Sequence, residues 1–300
     1  MDVTIPAVLK TVIDRINGNR GLGLAGLLAN WDLFSRAGAL VECDGFLAEF
    51  LVLVENRECA LAQPAAKLSA SDRKREARRA FWAAALTEYF GFQVEVPFPP
   101  ALNRRQERMF KRYGFLMAFL PGVSEDQFPA GAVKPDWRKY FDVRATERIP
   151  LRGRWVAVET IRKPDYVGKK YPNDALMSDI GVESRFGHPY SGKGEGDDVV
   201  EDILPKVAAA IGFDAKRVML PSVEEWNLVG NLFDWLRHNR DMSELPDLGA
   251  TNAWEWCRNS CGSGYGLFAG DCKDGGLSAV YKRWHCTRCV SAAFRVLVVL

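Results

Sequence analysis

Apolar residues recur at helical spacing through the first 120 residues of the chain. In the fourth segment with this spacing, Phe81, Ala85 and Tyr89 lie four residues apart, and Gly91 follows as a typical helix stop. Prolines then interrupt the pattern before the last segment begins. The predicted helices are Pro6–Ile16, Leu24–Phe34, Asp44–Cys59, Ser69–Phe90 and Asn103–Tyr113.

The pattern changes from about residue 143. β-branched and aromatic residues predict a strand over Arg154–Thr160, and the apolar run Phe294–Leu300 predicts another that is buried on both faces. Between them we predict an amphipathic helix over Asp197–Ile211 and a second helix that begins at the capping box Ser222–Glu225. Lys169–Gly196 is rich in Gly, Pro, Asp, Asn and Ser, which indicates a long irregular loop.

The composition is that of an ordinary globular chain. Its 300 residues include 40 Lys+Arg and 38 Asp+Glu, and this balance excludes a polybasic nucleic-acid coat and an acidic tail. The length favours two domains, and we expect a helical domain of unassigned role over 1–125, a linker over 126–145 and a second domain over 146–300. No apolar run reaches the roughly 18 residues of a membrane-spanning helix, and the first residues lack the pattern of a secretory signal. We therefore expect a cytoplasmic protein without a membrane span.

The C-terminal part of the chain has its own composition. Five of the seven cysteines lie between residues 257 and 289, and five of the nine tryptophans lie between residues 226 and 284. Six glycines fall between residues 262 and 276. The C-terminal end is therefore compositionally distinct, because it is rich in aromatic residues, glycine and cysteine and closes with an apolar run.

Four short segments occur in a fixed order in this part of the chain. Arg217–Trp226 resembles the helix start of the formylglycine-generating enzyme (sulfatase-modifying factor) family, and Asn252–Trp256 resembles that family's Gly-Asn-Val-Trp-Glu-Trp. Gly275–Ser278 is similar to its Arg-Gly-Gly-Ser segment, and Ala293–Val296 is similar to its terminal Gly-Phe-Arg strand. The resemblance covers roughly residues 145–300. It implies an α+β fold in which a C-type-lectin-like C-terminal domain follows a mainly helical N-terminal domain.

The variable proteins of diversity-generating retroelements use the same fold. Their ligand-binding surface is rewritten by error-prone reverse transcription of a template copy, while segments that resemble Trp-Glu-Trp, Gly-Gly-Leu-Ser and a terminal Phe-Arg strand stay fixed. This resemblance implies a ligand-binding protein, not an enzyme, with a variable region near residues 257–290. It also implies scaffold residues that hold the backbone, namely Trp254, Trp256, Gly275, Gly276 and Phe294.

The same resemblance implies display residues that contact the ligand. Large polar and aromatic side chains suit this role, because they offer contact area and hydrogen bonds at modest entropy cost. The alternative interpretation of the segment Tyr281–His285 is a solvated sheet edge with ordinary charges. The display residues are Tyr265, Asp271, Lys273, Asp274, Tyr281, Lys282, Arg283, His285, Thr287 and Arg288.

The C-terminal cysteines allow three interpretations. Cys286 and Cys289 form a CxxC pair, and Cys257 with Cys261, or His285, would complete a zinc site. The resemblance to formylglycine-generating enzymes implies a second role for Cys286 and Cys289, as a catalytic copper-binding pair that oxidises a protein cysteine. That family spaces its pair by four residues, whereas the gap here is two. The third interpretation is free thiols produced by diversification, and we expect no bound cofactor.

The segment 71–112 holds ten Lys and Arg against five Asp and Glu. An anionic partner and a solvated helix face both fit this excess. The solvated face is favoured, because aromatic residues do not interleave with the charges on a strand platform. Nucleic acid is therefore not the expected partner. We expect a macromolecular ligand, such as a protein, and a homo-oligomer is compatible with the sequence.

Overall fold

The computed structural model describes residues 69–138, 146–163, 174–192, 197–262 and 264–300. The chain divides into two compact units, Met1–Ser69 and Ala70–Leu300. The helices predicted at 6–16, 24–34 and 44–59 lie outside the described residues. The described part of the second unit is a mixed α+β fold.

Helices come first along the described residues, and strands dominate the C-terminal end. The helices are α1 (Ala70–Phe90), α2 (Arg104–Tyr113), α3 (Ala175–Asp179), α4 (Leu204–Ile211) and α5 (Val223–Asn239), and a π-helical turn at Val199–Ile203 leads into α4. The strands are β1 (Phe115–Leu120), β2 (Arg154–Glu159), β3 (Val218–Met219), β4 (Trp254–Ser260), β5 (Tyr265–Ala269), β6 (Val280–Trp284), β7 (Ala292–Phe294) and β8 (Leu297–Val299).

Local signals account for the ends of the longer helices. The Ser222 hydroxyl accepts a hydrogen bond from the backbone N–H of Glu225, and the Glu225 carboxylate accepts one from the backbone N–H of Ser222. The predicted capping box of α5 is therefore confirmed. Asn103 caps α2 in the same way. Gly91 follows α1 with a φ of +73°, the left-handed conformation that glycine adopts most readily.

The buried face of α1 differs from the predicted stripe at one position. Ala85 and Tyr89 are buried as the spacing predicts, but Phe81 is 38% exposed and Trp82 lies in the core instead. The indole Nε1 of Trp82 donates a hydrogen bond to the carbonyl oxygen of Met117 in β1 at 3.0 Å. The larger Trp82 ring faces the sheet, because its N–H donates a hydrogen bond to the backbone there.

Two four-stranded sheets form the body of this unit. The first has the order β1-β2-β8-β3 and is antiparallel throughout. The second has the order β6-β5-β4-β7, in which β4 and β7 are parallel. One apolar cluster packs α1 and α5 against β1 and β2, and another packs α2 and α4 against Trp256, Phe268 and Phe294. Within the described residues, every helix is too short or too polar to cross a lipid bilayer.

The predicted single strand Phe294–Leu300 is two strands in different sheets. β7 ends at Phe294 in the second sheet, and β8 begins at Leu297 in the first. Between them, the backbone N–H of Val296 donates to the Glu159 carboxylate at 2.6 Å. The last residues therefore join the two sheets instead of extending one.

The two compact units meet between Ser69 and Ala70, whereas the sequence analysis predicts a domain boundary near residue 125. β1 lies in the region assigned to the helical domain, yet it pairs with β2 along its whole length. The predicted linker also contributes to the core, since Phe128 and Trp137 are buried. Hydrogen bonding across the sheet, which local composition does not reveal, places these segments in one unit.

Candidate functional site

The β5–β6 hairpin carries most of the predicted display residues. β6 is the edge strand of its sheet, and its antiparallel register with β5 places Tyr265 opposite Trp284 and Phe268 opposite Tyr281. None of the eight residues in Tyr281–Arg288, which we call the display segment, is buried. The segment thus lies at the surface, as its proposed role requires.

Buried aromatic rings support this hairpin from behind. Trp256 is fully buried, and its ring centroid lies 3.9 Å from that of Phe268 in β5. Trp254 is 9% exposed, with its ring centroid 6.0 Å from that of Tyr281. The parallel pairing of β4 with β7 places Trp256 beside Phe294, which is also buried. The three aromatic scaffold residues therefore occupy the interior positions that the sequence analysis gave them.

The Gly275–Gly276 turn requires glycine for two reasons: its backbone has positive φ angles, and another backbone segment lies too close to leave room for a side chain. The φ angles of Gly275 and Gly276 are +122° and +60°. A Cβ atom at Gly276 would lie 3.0 Å from the carbonyl oxygen of Gly249, and one at Gly249 would lie 2.6 Å from the carbonyl carbon of Gly276. Two backbone segments are therefore in direct contact here, which no other residue type permits.

A buried ion pair joins β4 to the residue that follows β7. Arg295 Nη2 donates to Glu255 Oε1 at 2.9 Å, and Trp226 Nε1 donates to Glu255 Oε2 at 2.6 Å. Arg295 Nη1 also donates to the carbonyl oxygen of Glu159 at 2.8 Å. Burial alone raises the pKa of the Glu255 carboxyl, but the charges of Arg295 and Lys163 outweigh burial and lower that pKa to about 2. The charged residues of the Trp-Glu-Trp and Phe-Arg signatures thus bind each other.

A loop before α4 holds the display segment against the body of the protein. Arg185 anchors this loop, since its guanidinium donates to Glu159 Oε1 at 2.7 Å and to Asp174 Oδ2 at 2.6 Å. Farther along the loop, Tyr190 donates its backbone N–H to the carbonyl oxygen of His285 at 2.9 Å. The two rings stack with centroids 4.8 Å apart. Burial lowers the pKa of His285, so this ring favours its neutral form as part of the support.

The display residues do not form one continuous face. Side chains alternate along a strand, so Lys282 and Trp284 share one face of β6 while Tyr281 and Arg283 share the other. On the first face the rings of Tyr265 and Trp284 lie 4.0 Å apart, and Lys282 Nζ lies 5.4 Å from the centroid of the Tyr265 ring. The hairpin edge therefore presents an aromatic and cationic group on one side and a tyrosine with an arginine on the other.

Three predicted display residues lie at the far end of the hairpin. Asp271, Lys273 and Asp274 follow β5, whereas Tyr265 begins it, so the strand of 5 residues separates them by roughly 16 Å. Asp271 is only 7% exposed, and its carboxylate accepts a hydrogen bond from the backbone N–H of Lys273 at 2.8 Å. The exposure predicted for Asp271 is therefore wrong, because the side chain caps the turn after β5. Lys273 is exposed and Asp274 is half-buried on that turn.

The structure does not bring the four candidate zinc ligands together. Cys257 and Cys261 are buried, whereas Cys286 is exposed and Cys289 lies half-buried, with its Sγ 3.4 Å from the hydroxyl of Ser291. Burial raises the pKa of the Cys257 thiol. Within the described residues, no group of three or more His, Cys, Asp or Glu is placed to hold a metal ion.

Two exposed apolar residues belong to this surface but not to the predicted display set. Trp284 is 52% exposed and Val290 is 60% exposed. They flank a turn in which the backbone N–H of Thr287 donates to the carbonyl oxygen of Trp284 at 3.0 Å, and Arg288 is exposed on this turn. The large polar and aromatic residues of Tyr281–His285 already indicated that Trp284 is exposed. Val290 is a single apolar residue, so its exposure could not be predicted from the sequence.

Comparisons of the chain with family models, with curated proteins and with solved structures found no match. The hairpin edge and its buried support are therefore the basis for the function proposed below.

Proposed function

We propose that this protein binds ligands through a diversified surface on a C-type-lectin-like scaffold, and that it is the target of a diversity-generating retroelement. The observation that carries the proposal is the contrast between the display segment and its support. Every residue of Tyr281–Arg288 reaches solvent, while the rings of Trp254, Trp256 and Phe294 behind it are 0–9% exposed.

The energetics of substitution support this division. Changes at exposed positions away from special features usually alter stability by no more than about 0.5 kcal/mol. Truncation of a buried aromatic ring costs about 3–5 kcal/mol. A backbone held by such rings therefore tolerates new side chains at Arg283, Trp284 and Arg288 without losing its fold.

The four signatures that carry the resemblance also support a shared scaffold. Trp-Glu-Trp begins β4, and the Phe-Arg pair lies where β7 ends beside it. The carboxylate of Glu255 and the guanidinium of Arg295 pair in the interior. The signatures thus coincide with the parts that hold the backbone, and the segment between them carries the exposed side chains.

Inspection of the DNA around the gene tests the retroelement. We expect a near-copy of the 3′ end of the gene, which differs from it at adenines and lies beside a reverse transcriptase gene. The differences should fall on codons of the display segment and spare those of Trp254, Trp256 and Phe294. A neighbourhood without such a template would contradict the retroelement part of the proposal.

A pair of libraries tests the display surface directly. One library of the full chain randomises Lys282, Arg283, Trp284 and Arg288, and the other randomises Trp254, Trp256 and Phe294. We expect most clones of the first library to keep protease resistance and some to bind an unrelated protein target on selection. The second library should consist mainly of protease-sensitive chains. Similar losses of resistance in both libraries would show that the edge strand is not a tolerant surface.

A further inference from the structure

A basic cleft lies between α1, α2 and β1, away from the display segment. Its cavity has a volume of about 870 Å³. All six charged residues of its described lining come from the segment 71–112, for whose positive excess the sequence analysis gave two interpretations. The cations that line the cleft are Lys74, Arg78, Arg104, Arg108 and Lys111, and the carboxylate is Glu107. The cleft thus has a net excess of four positive charges.

Four of the five cations in the cleft have no hydrogen-bond or ion-pair partner among the described residues. Lys74 Nζ pairs with Glu107 Oε1 at 3.2 Å. The side chains of Arg78, Arg104, Arg108 and Lys111 make no hydrogen bond or ion pair with any residue in the described part of the chain. Arg78 is half-buried, and this burial lowers its pKa despite the nearby charge of Glu107. A partly desolvated guanidinium without a bonded anion is costly, and a bound anion would remove that cost.

Four of the five cations of the same two helices that lie outside the cleft have protein partners among the described residues, and Arg73 is the exception. Arg75 donates to Asp72 and to the carbonyl oxygen of Pro99, and Arg79 forms two hydrogen bonds with Glu76. On α2, Arg112 pairs with Asp179 and Arg105 donates to the carbonyl oxygen of Ala209. A solvated helix face does not explain why most cations outside the cleft have protein partners while most cations inside it have none among the described residues. The cations that lack a partner among the described residues lie mainly in one concave site.

The remaining residues that line the cleft are apolar. They are Leu102, Phe110, Phe115, Leu116 and Met117. Phe110 is buried and its ring lies 5.2 Å from that of Phe115, which is half-buried and reaches the cleft. Phe110 also stacks on Phe213 with an interplanar angle of 3°. The apolar part of the lining is therefore well supported and offers one partly exposed ring to a flat ligand group.

We propose that this cleft binds a nucleoside polyphosphate. The phosphates would pair with Arg78 and Arg108 and with the flanking cations of α2, and the base would lie against Phe115 and Leu116. The volume falls within the roughly 300–1,000 Å³ of small-molecule sites. A single strand of nucleic acid is the poorer fit, because such strands need a series of exposed rings on which successive bases stack. The described lining holds one such ring.

Isothermal titration of the full chain with ATP, inorganic triphosphate, adenosine and a fifteen-nucleotide oligo(dT) tests the proposal. We expect one ATP per chain, weaker binding of triphosphate and little heat from adenosine. The double substitution Arg78→Gln with Arg108→Gln removes two charge-assisted contacts and should weaken ATP binding about a hundredfold. The matched control is Arg73→Gln with Arg152→Gln, which changes the net charge equally at two exposed arginines outside the cleft and should leave ATP affinity within about twofold.

Three results would overturn the proposal. They are no ATP binding, equal losses in the two double variants, and binding of the oligonucleotide more tightly than ATP. Should the cleft variant lose its melting transition, Arg104→Gln with Lys111→Gln repeats the test at two exposed positions of α2. The library at the display segment leaves the cleft intact, so failure of ATP binding and failure of the proposed ligand display are independent outcomes.

Discussion

Glu255 and Arg295 belong to two separate sequence signatures, and both are fully buried. Each side chain is surrounded by partners, since Glu255 accepts from Trp226 and Arg295 donates to two backbone carbonyl oxygens as well as to Glu255. An ion pair of this kind contributes little net stability over an apolar pair of the same shape. Loss of Arg295 is different, because the Glu255 carboxylate then stays buried without its hydrogen-bonded counter-charge and keeps only the nearby charge of Lys163.

Replacement of Arg295 by methionine should therefore lower the free energy of unfolding by about 3–5 kcal/mol. The cause is the Glu255 carboxylate, which stays buried and loses the counter-charge to which it is hydrogen-bonded. The matched control is Arg283→Met, at an exposed position of β6, for which we expect a change of at most about 0.5 kcal/mol. Urea unfolding of both variants measures the difference. Equal free energies of unfolding for the two variants would mean that the ion pair between Glu255 and Arg295 does not stabilise the contact between the two signatures.

At the scale of elements, close backbone contact positions the turns around the hairpin. The segment before β4 touches the turn before β6 at Gly249 and Gly276, and both residues have positive φ angles. Gly262, in the turn between β4 and β5, has a φ of +65°, but no atom lies within 4 Å of the position that a Cβ atom would take there. The two sites share the conformational requirement and differ in available space.

Alanine substitutions at these two glycines separate the two effects. Gly262→Ala should cost about 1 kcal/mol from the left-handed backbone alone. Gly249→Ala should cost about 3 kcal/mol, because its new methyl group also collides with the backbone of Gly276. Thermal and urea unfolding of the two variants provide the comparison. If Gly249→Ala proved no more costly than Gly262→Ala, the backbone contact would not contribute to the packing of the turn.

At the scale of the whole molecule, β1 and α1 pack into the same hydrophobic core as residues from the C-terminal strands. β1 covers the edge of β2, and Trp82 of α1 donates a hydrogen bond to β1. Both elements precede residue 125, where the sequence pattern predicted a domain boundary. A fragment cut at that boundary would leave one edge of the first sheet and a large apolar surface exposed to water.

We accordingly expect the fragment 70–300 to unfold cooperatively in urea and to show a strong near-ultraviolet circular dichroism spectrum. The fragment 146–300, which lacks α1, α2 and β1, should show neither property. Its missing strand removes hydrogen bonds along β2, and its missing helices remove one wall of each apolar cluster. Cooperative unfolding of the fragment 146–300 would instead support a domain boundary near residue 125.

Local signals predicted several elements because they act over a few residues. The capping box at Ser222, the glycine after α1 and the strand over Arg154–Thr160 each depend on neighbours in sequence. The surface character of Tyr281–His285 followed in the same way from its large polar and aromatic residues. These features are determined by steric and hydrogen-bonding preferences of short segments, which a single sequence displays directly.

Contacts between distant residues were decided only by the tertiary structure. Which strands and helices become neighbours decides that Glu255 pairs with Arg295, that Asp271 is buried and that the four cysteines lie apart. It also decides that several cations of the basic cleft have no partner among the described residues. Those neighbours are selected by the packing of complementary apolar faces, to which residues far apart in sequence contribute. The amino-acid order by itself therefore determined the local elements and an exposed C-terminal segment, whereas the packing of the sheets and helices determined which charges are paired, which are buried and which remain available to a ligand.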